Sequence, residues 1–226
     1  MKKWNDILPD ATKAKAHELS RRLRIEQSMG NIVYPTPGME YQALMLTPPE
    51  KVKCVIFGTH PFYNEGPAQG LAYGACPNSA GIVAPTTMAI YNELERDIKC
   101  QPTKYDGDFT PWAMRGVLML NLQLSCGKDR IHDWGWESIT NTIFRTCLNL
   151  PQPIVFSFWG GNIRKKFSRI CIDAWPNKST VCVSSPAPRG EHTYGSAVPA
   201  FAGGHPFSRV NRELIRMGAE PIDWTL

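Results

Sequence analysis

Four short apolar runs constrain the fold of this chain more than any other feature of its sequence. Each run is nearly continuous and ends on Gly, Asn or Pro, which is typical of a strand buried in a parallel sheet. The runs span residues 52–58, 117–121, 154–160 and 180–186. Helical patterns precede, separate and follow them, at residues 10–28, 39–46, 87–98, 136–148, 162–172 and 206–217. We therefore predict an α/β fold with a short, mostly parallel four-stranded central sheet flanked by helices.

The length and composition fit one packed domain. The chain has 226 residues, of which 42% are hydrophobic, and this is enough for one substantial core, so we expect a single domain over residues 1–226. The N-terminal residues lead into a charged helical segment, and no apolar stretch reaches 18 residues. We expect an intracellular protein, in the cytoplasm of a bacterium or virus-infected cell or in a nucleus, with no membrane partner.

Cysteine usage and charge narrow the function classes. The seven cysteines are scattered, and no CxxC pair or Cys/His cluster has metal-ligand spacing, so we expect reduced thiols and no metal site. The formal net charge of +5 fits contact with a phosphate backbone, but many proteins without nucleic-acid partners have a similar excess. Charge alone therefore does not identify the partner.

Polar residues and glycines follow each predicted strand. Ligands of open α/β sheets bind beyond the carboxyl ends of the strands, so these segments are the candidate site. They are Gly58-Thr59-His60-Pro61-Phe62, Asn121, Trp159-Gly160-Gly161-Asn162 and Ser184-Ser185-Pro186-Ala187-Pro188.

These segments form part of a longer ordered series of motifs. The series comprises 4–8, 33–35, 58–63, 70–73, 85–94, 112–121, 135–137, 158–166, 185–188, 207–211 and 221–224. In order and spacing it resembles the family 1 uracil-DNA glycosylases over nearly the whole chain. The resemblance implies a monofunctional DNA glycosylase without a cofactor, acting as a monomer on duplex or single-stranded DNA that has a flipped pyrimidine.

The resemblance assigns roles to individual residues. It implies that the base is bound by Thr59, Phe62, Tyr73 and Asn121. The Asn121 amide would read the edge of a uracil-type base, since it can accept from N3–H and donate to O4. The catalytic positions are His60, Ser185 and Asn121.

Two of these positions depart from the family. His60 stands where the family has a water-orienting Asp, and Ser185 stands where it has a His that donates to the base O2. A neutral His60 can still orient a water through a ring nitrogen, whereas a protonated one would repel the cationic sugar. We expect a reduced rate on plain uracil. A catalytically silent DNA-binding or adaptor module with the glycosylase fold remains the alternative, as does an enzyme for another modified base.

Further departures surround the base. Phe62 replaces a Tyr that packs beside C5, and Gly74 and Ala75 replace larger residues, which would widen this side of the pocket. Uracil and a 5-substituted uracil such as 5-hydroxymethyluracil therefore both remain open as the substrate. For contacts with the DNA backbone, the resemblance points to loops, namely Thr86, Gly161, Asn162, Lys165, Pro188 and Arg189.

Overall fold

A computed structural model describes residues 3–63, 67–128, 134–167, 172, 175–186 and 199–226. The helices are α1 (Trp4–Ile7), α2 (Asp10–Ser28), α3 (Gln42–Leu46), α4 (Pro85–Ile98), α5 (Thr110–Met114), α6 (Trp136–Asn149), α7 (Gly161–Phe167) and α8 (Pro206–Arg216). The strands are β1 (Val33–Tyr34), β2 (Cys54–Gly58), β3 (Val117–Asn121), β4 (Cys126–Gly127), β5 (Ile154–Trp159) and β6 (Lys178–Val183). A 3-10 turn covers Pro49–Lys51.

The central sheet has four strands in the order β3-β2-β5-β6, and every neighbouring pair is parallel. All residues of β2, β3 and β5 are buried, as expected for strands covered on both faces. The predicted fold class is thus confirmed. Because the strands are parallel, their carboxyl ends lie along one edge of the sheet, and the candidate segments meet there.

Helices cover both faces of the sheet through aromatic side chains. On one face Phe57, Phe156 and Phe158 pack against Phe144 of α6 and Phe167 of α7. On the other face, Trp159 packs against Phe207 of α8. Phe158 and Trp159 are successive residues of β5 and point to opposite faces, as the strand period of two requires.

Several element boundaries differ from the sequence prediction. The fourth strand begins at Lys178 and ends at Val183, because the Ser184 N–H donates to the carbonyl of Pro199 and leaves the sheet ladder. Helix α4 begins two residues earlier than predicted, with Pro85 in its first turn. The predicted helix at 162–172 is observed as Gly161–Phe167, and residues 168–171 lie outside the described residues.

The state of the cysteines and the length of the apolar helices can be compared with the sequence predictions. The six cysteines within the described ranges are all free thiols. In that same part of the chain, no helix is long and apolar enough to cross a membrane.

Lys178 is a buried lysine at the start of β6, far from the carboxyl edge. Its side chain is 2% exposed, and its ammonium donates to the carbonyls of Leu150 (2.8 Å) and Gln152 (2.9 Å). Burial lowers the pKa of Lys178 from the usual 10.5 to about 8. The folded protein therefore releases this proton at a lower pH than the unfolded chain does.

This shift predicts a pH-dependent contribution to stability. From about pH 8 to 10.5 the unfolded chain holds more protons at Lys178 than the folded protein, so raising the pH raises the free energy of unfolding. We expect urea unfolding to show this rise in wild type relative to Lys178→Met. The buried thiol of Cys126, whose pKa burial raises to about 12, opposes the trend equally in both proteins. An exposed control, Lys104→Met, should keep the wild-type slope; if Lys178→Met also keeps it, the assignment is wrong.

Candidate active site at the carboxyl edge of the sheet

A cavity of about 360 Å³ opens at the carboxyl ends of the parallel strands. It brings together most of the residues that the sequence predicted for the site. These are Thr59, His60, Phe62, Tyr73, Thr86, Asn121, Gly161, Asn162 and Ser185. Gly58, Trp159, Gly160 and Ile163 also line the cavity. None of the described lining residues is an Asp, Glu, Lys or Arg, so the cavity wall has no fixed charge from these residue types.

Asn121 ends β3 and is 4% exposed. Its Oδ1 atom is buried and has no hydrogen-bond partner among the described residues. Gly58 lies opposite Asn121 in the sheet register, and a methyl group at Gly58 would overlap with this oxygen. The glycine thus makes room for an amide whose acceptor is left unsatisfied. Because an unpaired buried acceptor costs about 1–3 kcal/mol, this atom points to a ligand that donates a hydrogen bond.

Tyr73 supplies an aromatic wall. Its backbone adopts a left-handed φ of 64°, and its ring centroid lies 5.3 Å from that of Trp159. The hydroxyl lies 3.1 Å from the Phe57 carbonyl oxygen and 3.3 Å from that of Trp159, and it donates to them. Burial raises the pKa of Tyr73 above its usual range, so the hydroxyl remains a donor. The ring is therefore held by the ends of β2 and β5.

His60 follows β2 and is half-buried at the cavity wall. Its Nδ1 atom lies 2.9 Å from the carbonyl oxygen of Pro61. Since a carbonyl oxygen only accepts, Nδ1 carries the hydrogen, and the neutral imidazole then has its lone pair on Nε2. The Pro61 carbonyl thus fixes the tautomer of His60, as a backbone carbonyl that accepts from Nδ1–H commonly does for a histidine.

Ser185 lines the cavity two residues after the end of β6. Its neighbour Ser184 is bonded to residues 199 and 201: the Ser184 N–H donates to the Pro199 carbonyl (2.9 Å), and the Phe201 N–H donates to the Ser184 hydroxyl (2.7 Å). Pro188 and Arg189, which the sequence assigned to DNA binding, lie outside the described residues.

Two buried carboxylates of α4 bind the backbone at residues 203–208. Glu93 is fully buried and accepts from the N–H groups of Gly203 (2.7 Å) and His205 (3.1 Å). Asp97 accepts from the N–H groups of Phe207 and Ser208, both at 2.9 Å, at the start of α8. Helix α4 also supplies Thr86 to the cavity. The same helix therefore fixes the backbone of residues 203–208. The sequence analysis gave no role to either carboxylate.

The remaining residues predicted to contact DNA differ in their positions. Thr86 lies in the first turn of α4 and is 7% exposed, and Gly161 and Asn162 begin α7 at the cavity wall. Lys165 lies further along α7, is exposed and does not line the cavity.

Trp159 belongs to a segment that the sequence predicted for the site, but it was given no role of its own there. Its signal was the Trp at the end of an apolar run, which alone does not distinguish a core residue from a cavity wall. Gly74 and Ala75, in contrast, are buried and do not line the cavity. The expectation that they widen it has no support from their positions.

A second, larger cavity of about 570 Å³ lies between α1, α2 and α3 and contains none of the predicted site residues. Its wall is mostly apolar, with Trp4, Leu8 and Tyr41 among the lining residues. The wall of this larger cavity is more apolar than that of the cavity at the carboxyl edge, where the polar residues of the strand ends meet. The cavity at the carboxyl edge is therefore the candidate active site.

Comparison with known proteins finds relatives that match nearly the whole chain. The uracil-DNA glycosylase of Deinococcus deserti is 34% identical over 226 residues, covering 99% of this chain and 86% of that protein. That of Neisseria meningitidis serogroup A is 34% identical over 231 residues, covering 100% of both. The crystal structure of mimivirus uracil-DNA glycosylase has the same fold, with a TM-score of 0.75 at 19% identity, covering 100% of this chain and 94% of that one. No protein-family profile matches the chain.

These sequence relatives, whose fold the chain shares, show that it is a protein of the DNA N-glycosylase class, the hydrolases of N-glycosyl bonds. Specifically, the chain belongs to the uracil-DNA glycosylase family. The predicted family and enzyme class are confirmed.

The fit between Gly58 and Asn121 predicts a non-additive pair of substitutions. Gly58→Ala should destabilise the protein by about 1–3 kcal/mol, because the added methyl overlaps with Asn121 Oδ1. In an Asn121→Ala background the cost should shrink, since the overlapping oxygen is gone. Urea unfolding of the four proteins of this cycle measures the coupling. Equal costs in both backgrounds would show that the two residues do not share this space.

The Tyr73 hydroxyl predicts a smaller effect. Tyr73→Phe keeps the ring and removes the donor to the strand-end carbonyls, so we expect a loss of about 1 kcal/mol in the free energy of unfolding. Tyr105→Phe is the control, because Tyr105 is 47% exposed and should tolerate the change. A Tyr73→Phe protein as stable as the control would contradict a stabilising role for the hydroxyl.

Proposed function

We propose that this protein flips a uracil-type base out of DNA into the 360 Å³ cavity and hydrolyses its N-glycosidic bond, leaving an abasic site. The observation that supports this most directly is the buried, unpartnered Oδ1 of Asn121 at the cavity wall. The N3–H of uracil can donate a hydrogen bond to this oxygen, and the O4 of uracil can accept a hydrogen bond from the amide nitrogen of Asn121. Cytosine has no N3–H and is disfavoured, since it would leave the oxygen unpaired.

The extruded base stacks on Tyr73 in this proposal. The ring is fixed through its hydroxyl and lies beside Trp159, so the wall is preorganised and does not need to be ordered on binding.

His60 orients the attacking water. With Nδ1–H held by the Pro61 carbonyl, Nε2 accepts a hydrogen bond from the water and then its proton. The water oxygen forms a bond to C1′ of the sugar as the N-glycosidic bond breaks, and the electron pair of that bond leaves with the base. A neutral imidazole gives less stabilisation to the developing cationic sugar than a carboxylate would, so the expected rate on uracil is lower than in relatives with Asp at this position.

The departing base carries negative charge on O2, which needs donors. Ser185 lines the same cavity, and its hydroxyl donates one hydrogen bond to O2. Backbone N–H groups of the turn at Thr59 and His60 provide further donors. A serine donor is uncharged and shorter than a histidine, which again points to a slower reaction.

The space beside C5 of the bound base determines which 5-substituted bases the cavity accepts. Phe62 lines the cavity and limits the space beside C5, which favours uracil over thymine. His60 also lines the cavity and offers a ring nitrogen to a hydroxyl substituent. Phe62 therefore disfavours every 5-substituent, but a hydrogen bond to His60 offsets this crowding for a 5-hydroxymethyl group and not for a methyl group. On this ground we propose 5-hydroxymethyluracil as the second substrate to test beside uracil.

The DNA backbone is held by the first turns of two helices at the cavity, and not by loops as the sequence indicated. Thr86 of α4 and Gly161 and Asn162 of α7 provide uncharged contacts, while Lys165 adds a cationic side chain further along α7. Pro188 and Arg189, which lie outside the described residues, complete the proposed set.

Excision is tested by alkaline cleavage of oligonucleotides that carry one uracil, 5-hydroxymethyluracil, thymine or cytosine. We expect His60→Ala to lower the rate on uracil by about 100-fold, since general-base catalysis contributes about that much or more. His60→Asp should retain the rate or raise it, because it restores a water-orienting carboxylate.

Two results would overturn this assignment. Equal rates for wild type and His60→Ala would remove His60 from the chemistry. No abasic product from any base, despite measurable DNA binding, would replace the enzyme with a silent DNA-binding module of the same fold.

A further inference from the structure

We propose that Thr87 is a positioning residue, whose buried hydroxyl fixes the ring of Tyr73 relative to the first turn of α4. This inference rests on the proposed function, in which the Tyr73 ring stacks on the extruded base and Thr86 of the same turn contacts the DNA backbone. It deepens that function, because one hydrogen bond then sets the distance between the wall that binds the base and a contact with the DNA.

The Thr87 hydroxyl joins α4 to the segment that carries Tyr73. Thr87 is 0% exposed, and its hydroxyl donates to the backbone carbonyl of Tyr73 at 2.9 Å. A threonine within a helix can donate to a carbonyl three or four residues earlier. Thr87 lies in the first turn of α4, and the residues at those positions, Val83 and Ala84, precede the helix. The hydroxyl bonds instead to a residue 14 positions away and so links two segments of the site.

The backbone of Tyr73 adopts a conformation that its surroundings must hold. Its φ of 64° lies in the left-handed region, which costs free energy for a residue with a Cβ atom. Such a conformation persists only where several contacts restrain it. The Ala72 N–H donates to the Met119 carbonyl of β3 (3.0 Å), and Thr87 restrains the carbonyl of Tyr73 itself. Removal of the Thr87 donor therefore lets the backbone at Tyr73 relax.

The side chain of Tyr73 is held at both ends. Its hydroxyl lies 3.1 Å from the Phe57 carbonyl oxygen and 3.3 Å from that of Trp159, and these bonds fix the outer end of the ring. The bond from Thr87 fixes the backbone at the inner end. A ring that keeps only its hydroxyl anchors can pivot about them and tilt. Because stacking needs the ring and the base face to face, such a tilt weakens binding of the base.

Helix α4 gives Thr87 a fixed position. Ile90 and Leu94 of this helix are 0% exposed and belong to the hydrophobic core. Glu93 is also fully buried, and its carboxylate accepts from the N–H of Gly203. The donor to Tyr73 therefore belongs to a helix that is anchored along its length.

Two successive residues of α4 serve two parts of the site. Thr86 lines the cavity and is 7% exposed, whereas Thr87 is fully buried and bonds to Tyr73. With about 3.6 residues per turn, successive side chains of a helix point in directions about 100° apart, so one turn can face both the cavity and the Tyr73 backbone. The separation between the backbone contact and the stacking ring is thus set before DNA binds, which lowers the cost of ordering the site on binding.

The test compares Thr87→Val, which removes the hydroxyl and keeps the shape, with Thr87→Ser, which keeps the hydroxyl. The measurement is the single-turnover rate of uracil excision from a duplex oligonucleotide. We expect Thr87→Val to lower this rate about tenfold, since a misplacement of about 1 Å in a site can cost about 100-fold. Thr87→Ser should stay within about twofold of wild type, because the donor is retained.

Thr47→Val is the matched control. Thr47 is also 0% exposed, and its hydroxyl donates at 2.9 Å to a backbone carbonyl, that of Ala113. The same hydroxyl lies 3.3 Å from the carbonyl oxygen of Val117, which begins β3 at the edge of the sheet opposite the cavity. Urea unfolding should show similar losses of stability for Thr47→Val and Thr87→Val, but only Thr87→Val should lose excision rate.

Two further measurements test whether Thr87 acts through Tyr73. The effects of Thr87→Val and Tyr73→Ala on the excision rate should be non-additive, because the double variant has no ring left to position. Binding of Thr87→Val to a duplex with an abasic site in place of the uracil should change less than about twofold, since this DNA has no base to stack.

Four results overturn the positioning role. They are an excision rate of Thr87→Val equal to that of Thr47→Val, a Thr87→Ser protein as slow as Thr87→Val, additive effects of Thr87→Val and Tyr73→Ala, and an equal loss of excision and of binding to the abasic duplex. The last would indicate a general distortion of the DNA-binding surface. A wild type that excises no uracil overturns the proposed function itself, and the role of Thr87 with it.

Discussion

The missing side chain at Gly58 is the constraint on which the site depends. It lets the amide of Asn121 lie against the end of β2, and it leaves the amide oxygen buried without a partner among the described residues. The parallel register that places these two residues opposite each other comes from a sheet buried on both faces. The free energy of packing the sheet thus holds an unsatisfied acceptor in place, which a protein tolerates where a ligand completes the hydrogen bond.

The electrostatics of the cavity follow from residue choice at two strand ends. These strand ends carry His60 and Ser185, and the described wall carries no acidic side chain. In the proposed complex, binding of the base depends on neutral hydrogen bonds and on stacking against Tyr73. Such a site can recognise a base as well as a charged one does, but it stabilises a developing cation less, because recognition needs matched donors and acceptors whereas the transition state needs charge.

The sequence predicted the regular elements well and the short or irregular ones poorly. The apolar runs located β2, β3 and β5 closely, whereas the ends of β6 were displaced because Ser184 pairs with Pro199 outside the sheet. The two-residue strands β1 and β4 were missed, since two residues have no periodicity and their pairing joins segments more than ninety residues apart. Most site residues were located because their motifs stand at strand ends, but Trp159 resembled a core residue in the sequence.

The sequence by itself determined the order of strands and helices and which side chains gather at the carboxyl edge, because periodicity and strand ends are local properties of the chain. The tertiary structure alone decided what those side chains do there. It left Asn121 Oδ1 without a partner among the described residues, gave the Nδ1 hydrogen of His60 to a carbonyl and tied the Tyr73 hydroxyl to two strands. These facts depend on the positions of individual atoms, and for Asn121 and Tyr73 on atoms remote in the sequence, which a local pattern does not encode.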